Sequence, residues 1–162
     1  MAKVHKGRFT AEVDGDVVVF VIGMRFNKLW KVHKWMPVFV AMPKMLRVLL
    51  SDPSKGLLGA RTMLGGRTIT VLQYWRSFDD LERFARDSSD PHLEAWRRFN
   101  RKVGSSGDVG IFHETYRVPA GGFECVYGNM PVMGLAAAGR HVPVGPRSDA
   151  ARQRLAATAS AS

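Results

Sequence analysis

His113 is the side chain in this sequence that is best placed to do chemistry. It lies in residues 110–118, a stretch rich in β-branched and aromatic residues with Gly/Ser-rich or Pro/Gly-rich turns at both ends, as is typical of a strand. Because side chains alternate along a strand, Ile111, His113 and Thr115 should share one face. If that face borders a pocket, the imidazole could bind a ligand or transfer a proton. If it does not, His113 is a histidine hydrogen-bonded within the core.

The other histidines and the single cysteine give weaker signals. His92 is predicted in the first turn of a helix, where it can face a pocket or the solvent. The remaining histidines lack the spacing that metal ligands need. Cys125 falls in a predicted strand and is interpreted as a small buried hydrophobe. Tyr74 and Trp75 end another strand, and both could line the same cavity as His113.

The composition indicates a single domain. A length of 162 residues with 46% apolar side chains is normal for a chain that folds around one core. One cysteine excludes an intrachain disulfide and a CxxC metal site. The N-terminus lacks a signal-peptide pattern, and the longest apolar stretch, residues 36–50, is interrupted by prolines and cations. We therefore predict a cytoplasmic protein with a domain at residues 1–146 and a flexible polar tail at residues 147–162.

The positive charge is concentrated in one segment of the chain. The formal net charge is +10, and residues 24–51 hold six lysines and arginines, several aromatic side chains and no acid. Basic residues mixed with aromatic ones can follow a phosphate backbone or lie on anionic lipid. They can also pair with the carboxylates of a cofactor or an acidic substrate, or form the solvated face of a helix. The sequence leaves these interpretations open.

Hydrophobic patterns predict the strands. Residues 17–24 are apolar throughout, which is typical of a central strand with both faces covered. Residues 57–64 and 68–75 are strand-like and are joined by two glycines, so they should form a hairpin. Residues 8–12 form a short extended segment, and residues 123–127 are a possible fifth strand of the sheet that contains His113.

Helical patterns separate these strands. Apolar residues follow helical spacing over residues 35–50, where Pro37 and Pro43 predict two short helices or one kinked helix. Ser77 should be the N-cap of a second helix, and a third is predicted at residues 91–103.

The order of elements predicts an α+β fold of the ferredoxin-like, split βαβ type, a four- to five-stranded antiparallel sheet with its helices on one face. Such a sheet leaves its other face uncovered, although these strands carry apolar residues on both faces. A second copy of the sheet is the usual cover. We therefore predict a homodimer of the dimeric α/β barrel type, with the cofactor or substrate between helices and sheet or between subunits.

Several motifs resemble a known superfamily. Residues 74–82, followed by the Asp-Pro-His of residues 90–92, resemble the strand-to-helix segment of the antibiotic-biosynthesis-monooxygenase-like proteins, the dimeric α/β barrel superfamily. Residues 110–122 and 127–135 resemble a monooxygenase-related domain-of-unknown-function family within it. The resemblance covers residues 8–145 and implies a ferredoxin-like dimer. The superfamily includes cofactor-free oxygenases, haem enzymes and proteins without known activity.

A more distant resemblance concerns haem. His113-Glu114 and the Tyr-x-Asn-x-Pro run at residues 127–131 are similar to the C-terminal part of haem-containing aldoxime dehydratases. This resemblance implies that His113 is the axial ligand of the iron of haem b. The acid/base histidine of those enzymes is missing here, which argues against dehydration of aldoximes. The resulting pocket candidates are Tyr74, Trp75, His92, Ile111, Asn129 and Met130.

Three functional hypotheses follow. The first is a small-molecule oxidoreductase of the monooxygenase-like type, with haem at His113 and a hydrophobic or anionic substrate. The second keeps the fold without a redox cofactor, as a cofactor-free oxygenase or a small-molecule binding protein. The third makes the basic segment a nucleic-acid or membrane surface, with nucleic acid the less expected partner and membrane contact limited to the periphery.

Overall fold

The computed structural model describes residues 2–86 and 106–159, which form a mixed α+β structure with two antiparallel sheets. The strands are β1 (His5–Glu12), β2 (Val17–Phe26), β3 (Leu57–Gly65), β4 (Thr68–Trp75), β5 (Val109–Val118), β6 (Tyr127–Met130) and β7 (Arg140–Pro143). The helices are α1 (Val32–Ser51), α2 (Phe78–Arg86), α3 (Leu135–Ala138) and α4 (Ala151–Ala159), with a 3-10 turn at Pro53–Lys55. The helix predicted at residues 91–103 lies outside the described residues.

The larger sheet has the strand order β3-β4-β2-β5, and every neighbouring pair is antiparallel. β2 is central, as its apolar run predicted, and β3 and β4 form the predicted hairpin. This order places each helical connection between strands that are not neighbours, which is the arrangement expected of a split βαβ unit. The predicted α+β class and antiparallel sheet are confirmed.

The main core lies between this sheet and the helices. Val18 of β2 is paired with Trp75 of β4, and both are buried against Leu49 of α1 and Leu81 of α2. We call this side of the sheet the helix face and the opposite side the open face. Because paired residues on neighbouring strands share a face, the register assigns every residue of β2, β4 and β5 to one face or the other.

The smaller sheet has the order β6-β1-β7 and was not predicted. The possible fifth strand at residues 123–127 is wrong in two respects: the strand begins only at Tyr127, and it pairs with β1 instead of joining the sheet of β5. The short segment at residues 8–12 is the middle strand of this second sheet, because both of its backbone edges find partners there. Residue 138 of α3 lies close to Gly59 of β3, so the smaller sheet and α3 cover one end of the open face.

The helices agree only partly with their predictions. The helix α1 is a single continuous element that includes both Pro37 and Pro43. The N-cap of α2 is confirmed, since the hydroxyl of Ser77 accepts a hydrogen bond of 3.0 Å from the backbone N–H of Asp80. In the part of the chain that the structure describes, no helix is both long enough and apolar enough to cross a membrane.

The C-terminal tail contains structure that its composition concealed. Residues 151–159 form α4, whereas residues 147–162 were expected to be flexible. The reason is Arg154, which is buried, lies 2.7 Å from a carboxylate oxygen of Glu124 and donates to two backbone carbonyls. A buried guanidinium with these partners fixes α4 to the segment between β5 and β6. The domain boundary at residue 146 stays a prediction.

Candidate functional site

His113 lies near the middle of β5, opposite Ile22 of β2, and the register puts it on the helix face with Ile111 and Thr115. Its ring is exposed, and the ring of Phe20 is its aromatic neighbour at a centroid distance of 5.8 Å. The strand that carries His113 is therefore held by backbone hydrogen bonds to β2, while the residue itself stays exposed. This arrangement suits a ligand for a guest molecule better than a histidine packed within the core.

Two pocket candidates on the helix face are core residues in the structure. Trp75 is fully buried, and its indole N–H donates to the side-chain carbonyl of Gln73 at 2.8 Å. Ile111 packs in a separate cluster with Val109 and Trp35. His92 lies outside the described residues.

Tyr74 is the neighbour of Trp75 in sequence and points to the open face, where it approaches Tyr127 of β6. A β-carbon built on Gly134 would lie 2.7 Å from the phenol oxygen of Tyr127 and 3.6 Å from that of Tyr74. The two hydroxyl groups therefore converge beside Gly134, whose φ of 61° also favours glycine. We call Tyr74, Cys125, Tyr127 and the nearby Arg61 the tyrosine–cysteine cluster.

The electrostatics of this cluster keep both phenols protonated. The pKa of Tyr127 is raised to about 12, mainly by burial and also by the nearby Cys125 and Tyr74, while the backbone N–H of Ala136 opposes the rise. Burial is also the main cause of the raised pKa of Tyr74, which the cation of Arg61 partly opposes. At neutral pH both tyrosines are therefore hydrogen-bond donors.

Cys125 belongs to the cluster because of Thr10 in β1. The buried hydroxyl of Thr10 donates to the carbonyl of Cys125 at 2.7 Å and lies 3.9 Å from its sulfur. Cys125 is half-buried and is a free thiol, whereas the sequence suggested only a small core residue. The cluster forms where the two sheets meet. Because the second sheet was not predicted from the sequence, the cluster was not predicted either. Tyr127 at the start of a motif-like run was the one available signal.

Asn129 and Met130 follow Tyr127 on β6 and have different surroundings. Asn129 has a φ of 54°, and its side-chain oxygen accepts a hydrogen bond of 3.0 Å from the backbone N–H of Gly7. Met130 is paired with His5 and is exposed. Asn129 thus supports the irregular pairing of β1 with β6, which is a structural task that does not require a bound ligand.

A charged cleft of about 200 Å³ lies beside the second sheet. The guanidinium of Arg140 reaches Glu12 at 3.0 Å and Asp14 at 3.3 Å, and Arg76 also lines the cleft. His113 and the tyrosine–cysteine cluster do not line this cleft. Arg140 is thus neutralised by Glu12 and Asp14, and Arg76 is paired with Asp80 outside the cleft, so the cleft offers a ligand less unpaired positive charge than its composition suggests.

The uncovered part of the open face carries exposed apolar side chains beside polar ones, among them Arg25. Phe112, Tyr116 and Met63 are exposed there, and the hydroxyl of Tyr116 donates to Glu114 at 2.6 Å. This hydrogen bond raises the pKa of Tyr116. Glu114 faces away from His113, as the alternation of the strand predicted.

The basic segment is less cationic than its sequence suggests. The buried carboxylate of Asp108 lies 2.9 Å from the ammonium nitrogen of Lys28 and 2.9 Å from that of Lys31. Hydrogen bonds from these two lysines lower the pKa of Asp108 to about 2. Asp108, the residue before β5, therefore supplies the negative charge that residues 24–51 lack.

Within residues 2–86 and 106–159, no group of three or more histidine, cysteine, aspartate or glutamate side chains could hold a metal ion. A haem iron needs only one axial protein ligand, so this finding leaves the haem prediction for His113 without a test.

The chain was also matched to solved structures. A conserved protein from Methanosarcina mazei Go1 aligns with 62% of this chain and 91% of its own, at 14% sequence identity and a TM-score of 0.44.

Comparison with characterised sequences is more specific. The chain is 28% identical over 157 residues to monooxygenase af470 of Aspergillus fumigatus, an alignment that covers 80% of this chain. It spans 53% of the length of that relative. Residues 17–135, well over half of the chain and including the whole four-stranded sheet, match the monooxygenase af470-like family. The monooxygenase-related resemblance is confirmed, and the chain belongs to the monooxygenase af470-like family.

Proposed function

We propose that this chain is a monooxygenase that acts on a hydrophobic, electron-rich small molecule. The family match over residues 17–135 carries the proposal, because it contains the larger sheet together with Tyr74, Cys125, Tyr127 and Arg61. The A. fumigatus relative is named a monooxygenase, and this chain spans about half of its length.

The tyrosine–cysteine cluster supports a site for an anionic substrate. Tyr74 and Tyr127 present two protonated hydroxyl groups beside Gly134, and Arg61 adds a positive charge. Two preorganised donors can stabilise the oxygen of a phenolate or an enolate more strongly than they stabilise the neutral molecule. The cluster would therefore bind the substrate in the form that reacts with dioxygen.

A bound phenolate or enolate can reduce dioxygen without a redox cofactor. A CH₂ group of the substrate loses two hydrogen atoms and becomes C=O by gaining one oxygen atom, while the second oxygen atom leaves as water. The substrate supplies all the electrons that dioxygen accepts. The task of the protein is then to hold the anion, orient it and limit its contact with water.

Oxygen uptake tests this version. The probe is anthrone, a tricyclic ketone with an acidic CH₂ group, supplied with ¹⁸O-labelled dioxygen. We expect one labelled atom in the product and a rate reduced by about a hundredfold to a thousandfold in Tyr127→Phe. Tyr116→Phe, a change on the same face outside the cluster, should retain the rate. A wild-type protein without uptake refutes the cofactor-free version, and an unchanged Tyr127→Phe refutes the site.

Haem at His113 is the second candidate, and the exposed imidazole favours it. A ring on a rigid strand with Phe20 and Ile22 as apolar neighbours fits an axial ligand. His113 would hold the iron, Phe20 and Ile22 would contribute apolar contacts, and the bound haem would supply the activation of dioxygen.

Titration of the purified protein with haem tests this candidate. A Soret band that disappears in His113→Ala and persists in His33→Ala, an exposed histidine of α1, would support it. A protein that acquires no such band would exclude it. His113 lies on the helix face and Tyr74 on the open face, so the two versions depend on separate residues and can fail separately.

We also propose that the protein is a ferredoxin-like homodimer of the dimeric α/β barrel type. The strand order supports the ferredoxin-like part of the proposal. The exposed Phe112, Tyr116 and Met63 support the dimer, because they form an apolar surface on the face that a second sheet would cover.

A further inference from the structure

The helix α1 is apolar on the side that packs and on the side that does not. Leu49, Met45 and Leu46 pack in the main core, and Trp35 and Val38 pack against Val109. A helix on the surface of a protein normally has a polar side facing water. Exposed apolar residues on a second side of a helix therefore call for an explanation.

The opposite side, which we call the outward side, is exposed. Phe39 retains 43% of its accessible surface, and Trp30, just before the helix, retains 73%. The exposed apolar residues of this region are Leu29, Trp30, Val32, Met36, Phe39, Val40, Val48 and Leu50. An apolar surface of this extent on a protein indicates a contact with another molecule or with a membrane.

Cations accompany these exposed apolar residues without acids to balance them. No aspartate or glutamate occurs between Asp16 and Asp52. Asp108 reaches this segment from elsewhere, but it is buried and is already paired with Lys28 and Lys31. Lys44 and Arg47 are exposed, and the structure records no ion pair for either of them among the described residues. The surface therefore combines exposed aromatic and aliphatic groups with uncompensated positive charge.

We propose that the outward side of α1, together with Leu29 and Trp30, docks on an anionic lipid surface. A helix with Trp, Phe and aliphatic residues next to lysine and arginine lies in the plane of the membrane interface, with its apolar groups among the acyl chains. The cations then face the negatively charged headgroups. The helix α1 is not apolar enough to cross a membrane, so it lies on the bilayer.

Charge and composition favour lipid over the other partners. A second copy docking through the same surface would bring Lys44 and Arg47 of both copies together, which is repulsive. A nucleic acid would need most contacts to be made by cations, whereas this surface also exposes the apolar side chains of Met36, Phe39 and Val40. The proposal does not depend on the monooxygenase activity, because it concerns binding alone.

Co-sedimentation with lipid vesicles tests the proposal. The probes are vesicles of phosphatidylcholine with about a third phosphatidylserine, and vesicles of phosphatidylcholine alone. We expect the full chain to bind the anionic vesicles and to bind the neutral ones much more weakly. The double variant Lys44→Gln/Arg47→Gln should bind the anionic vesicles about 25-fold more weakly, which is about fivefold for each cation.

Substitution of an apolar residue tests the apolar contribution of this surface to binding. Phe39→Gln should weaken binding about tenfold, because a large apolar side chain is no longer transferred from water to the membrane on binding. The matched control is Leu64→Gln, which changes a leucine with 79% exposure in β3, outside α1. This control should bind as the wild type does, and circular dichroism of every variant should show the native spectrum.

Four results would overturn the proposal. They are the absence of binding to anionic vesicles, equal binding to neutral vesicles, equal weakening by Leu64→Gln and Phe39→Gln, and a dimer that Phe39→Gln converts to a monomer in light scattering. Retention of the protein by duplex DNA but not by anionic vesicles would assign the surface to nucleic acid instead.

Discussion

Leu49 and Leu50 are neighbours in α1 with opposite environments, and their replacement by alanine tests the orientation of the helix. Leu49 is fully buried in the main core, whereas Leu50 retains 53% of its surface. Leu49→Ala removes three carbon atoms from the core, which costs about 2.4 kcal/mol at about 0.8 kcal/mol for each. The cavity left behind raises the expected loss in the free energy of unfolding to about 3–4 kcal/mol.

Chemical denaturation with urea, followed by circular dichroism, measures the difference between the two variants. In a separate thermal melt, Leu49→Ala should lower the melting temperature by roughly 6–16 °C in a protein of this size. Leu50→Ala should change the free energy of unfolding by only about 0.5 kcal/mol. Equal losses in the two variants, or a larger loss in Leu50→Ala, would mean that α1 is rotated from the orientation described. The outward side would then also be assigned wrongly.

Three further predictions concern other parts of the structure. Gly134→Ala should destabilise the protein and lower the activity measured with anthrone, because the new methyl group meets the phenol oxygen of Tyr127; thermal unfolding and oxygen uptake check this. The lowered pKa of Asp108 means that its contribution to stability is fully present above about pH 4 and is lost as the pH falls towards 2, so Asp108→Asn should flatten the acid limb of a pH-stability curve. Tyr116→Lys on the open face should convert the proposed dimer to a monomer, and an unchanged mass in light scattering would contradict that arrangement.

The sequence predicted the larger sheet because its strands carry strong local signals. The apolar run of β2, the β-branched residues of β4 and the alternation around His113 each depend on a residue and its nearest neighbours. The hydroxyl of Ser77 caps α2 for the same local reason. These parts could be predicted because the sequence pattern and the final structure agree.

The smaller sheet and the tyrosine–cysteine cluster could not be predicted in this way. β6 and β7 have four residues each, and they become strands because β1 offers a partner on both edges. Tyr74 and Tyr127 are far apart in sequence and meet only after the two sheets pack together. The pairing of Asp108 with Lys28 and Lys31 is equally remote, so the charge of the basic segment could not be judged from its own residues.

The anchoring of α4 has a practical consequence for shortened versions of the chain. The small, polar residues after position 146 invite removal before crystallisation, yet they include the guanidinium that neutralises Glu124. Glu124 directly precedes Cys125, so trimming the end would release the segment that leads into the thiol and Tyr127. Loss of activity in a truncated protein would therefore indicate that this segment had lost its structural support, and not that a catalytic group had been removed.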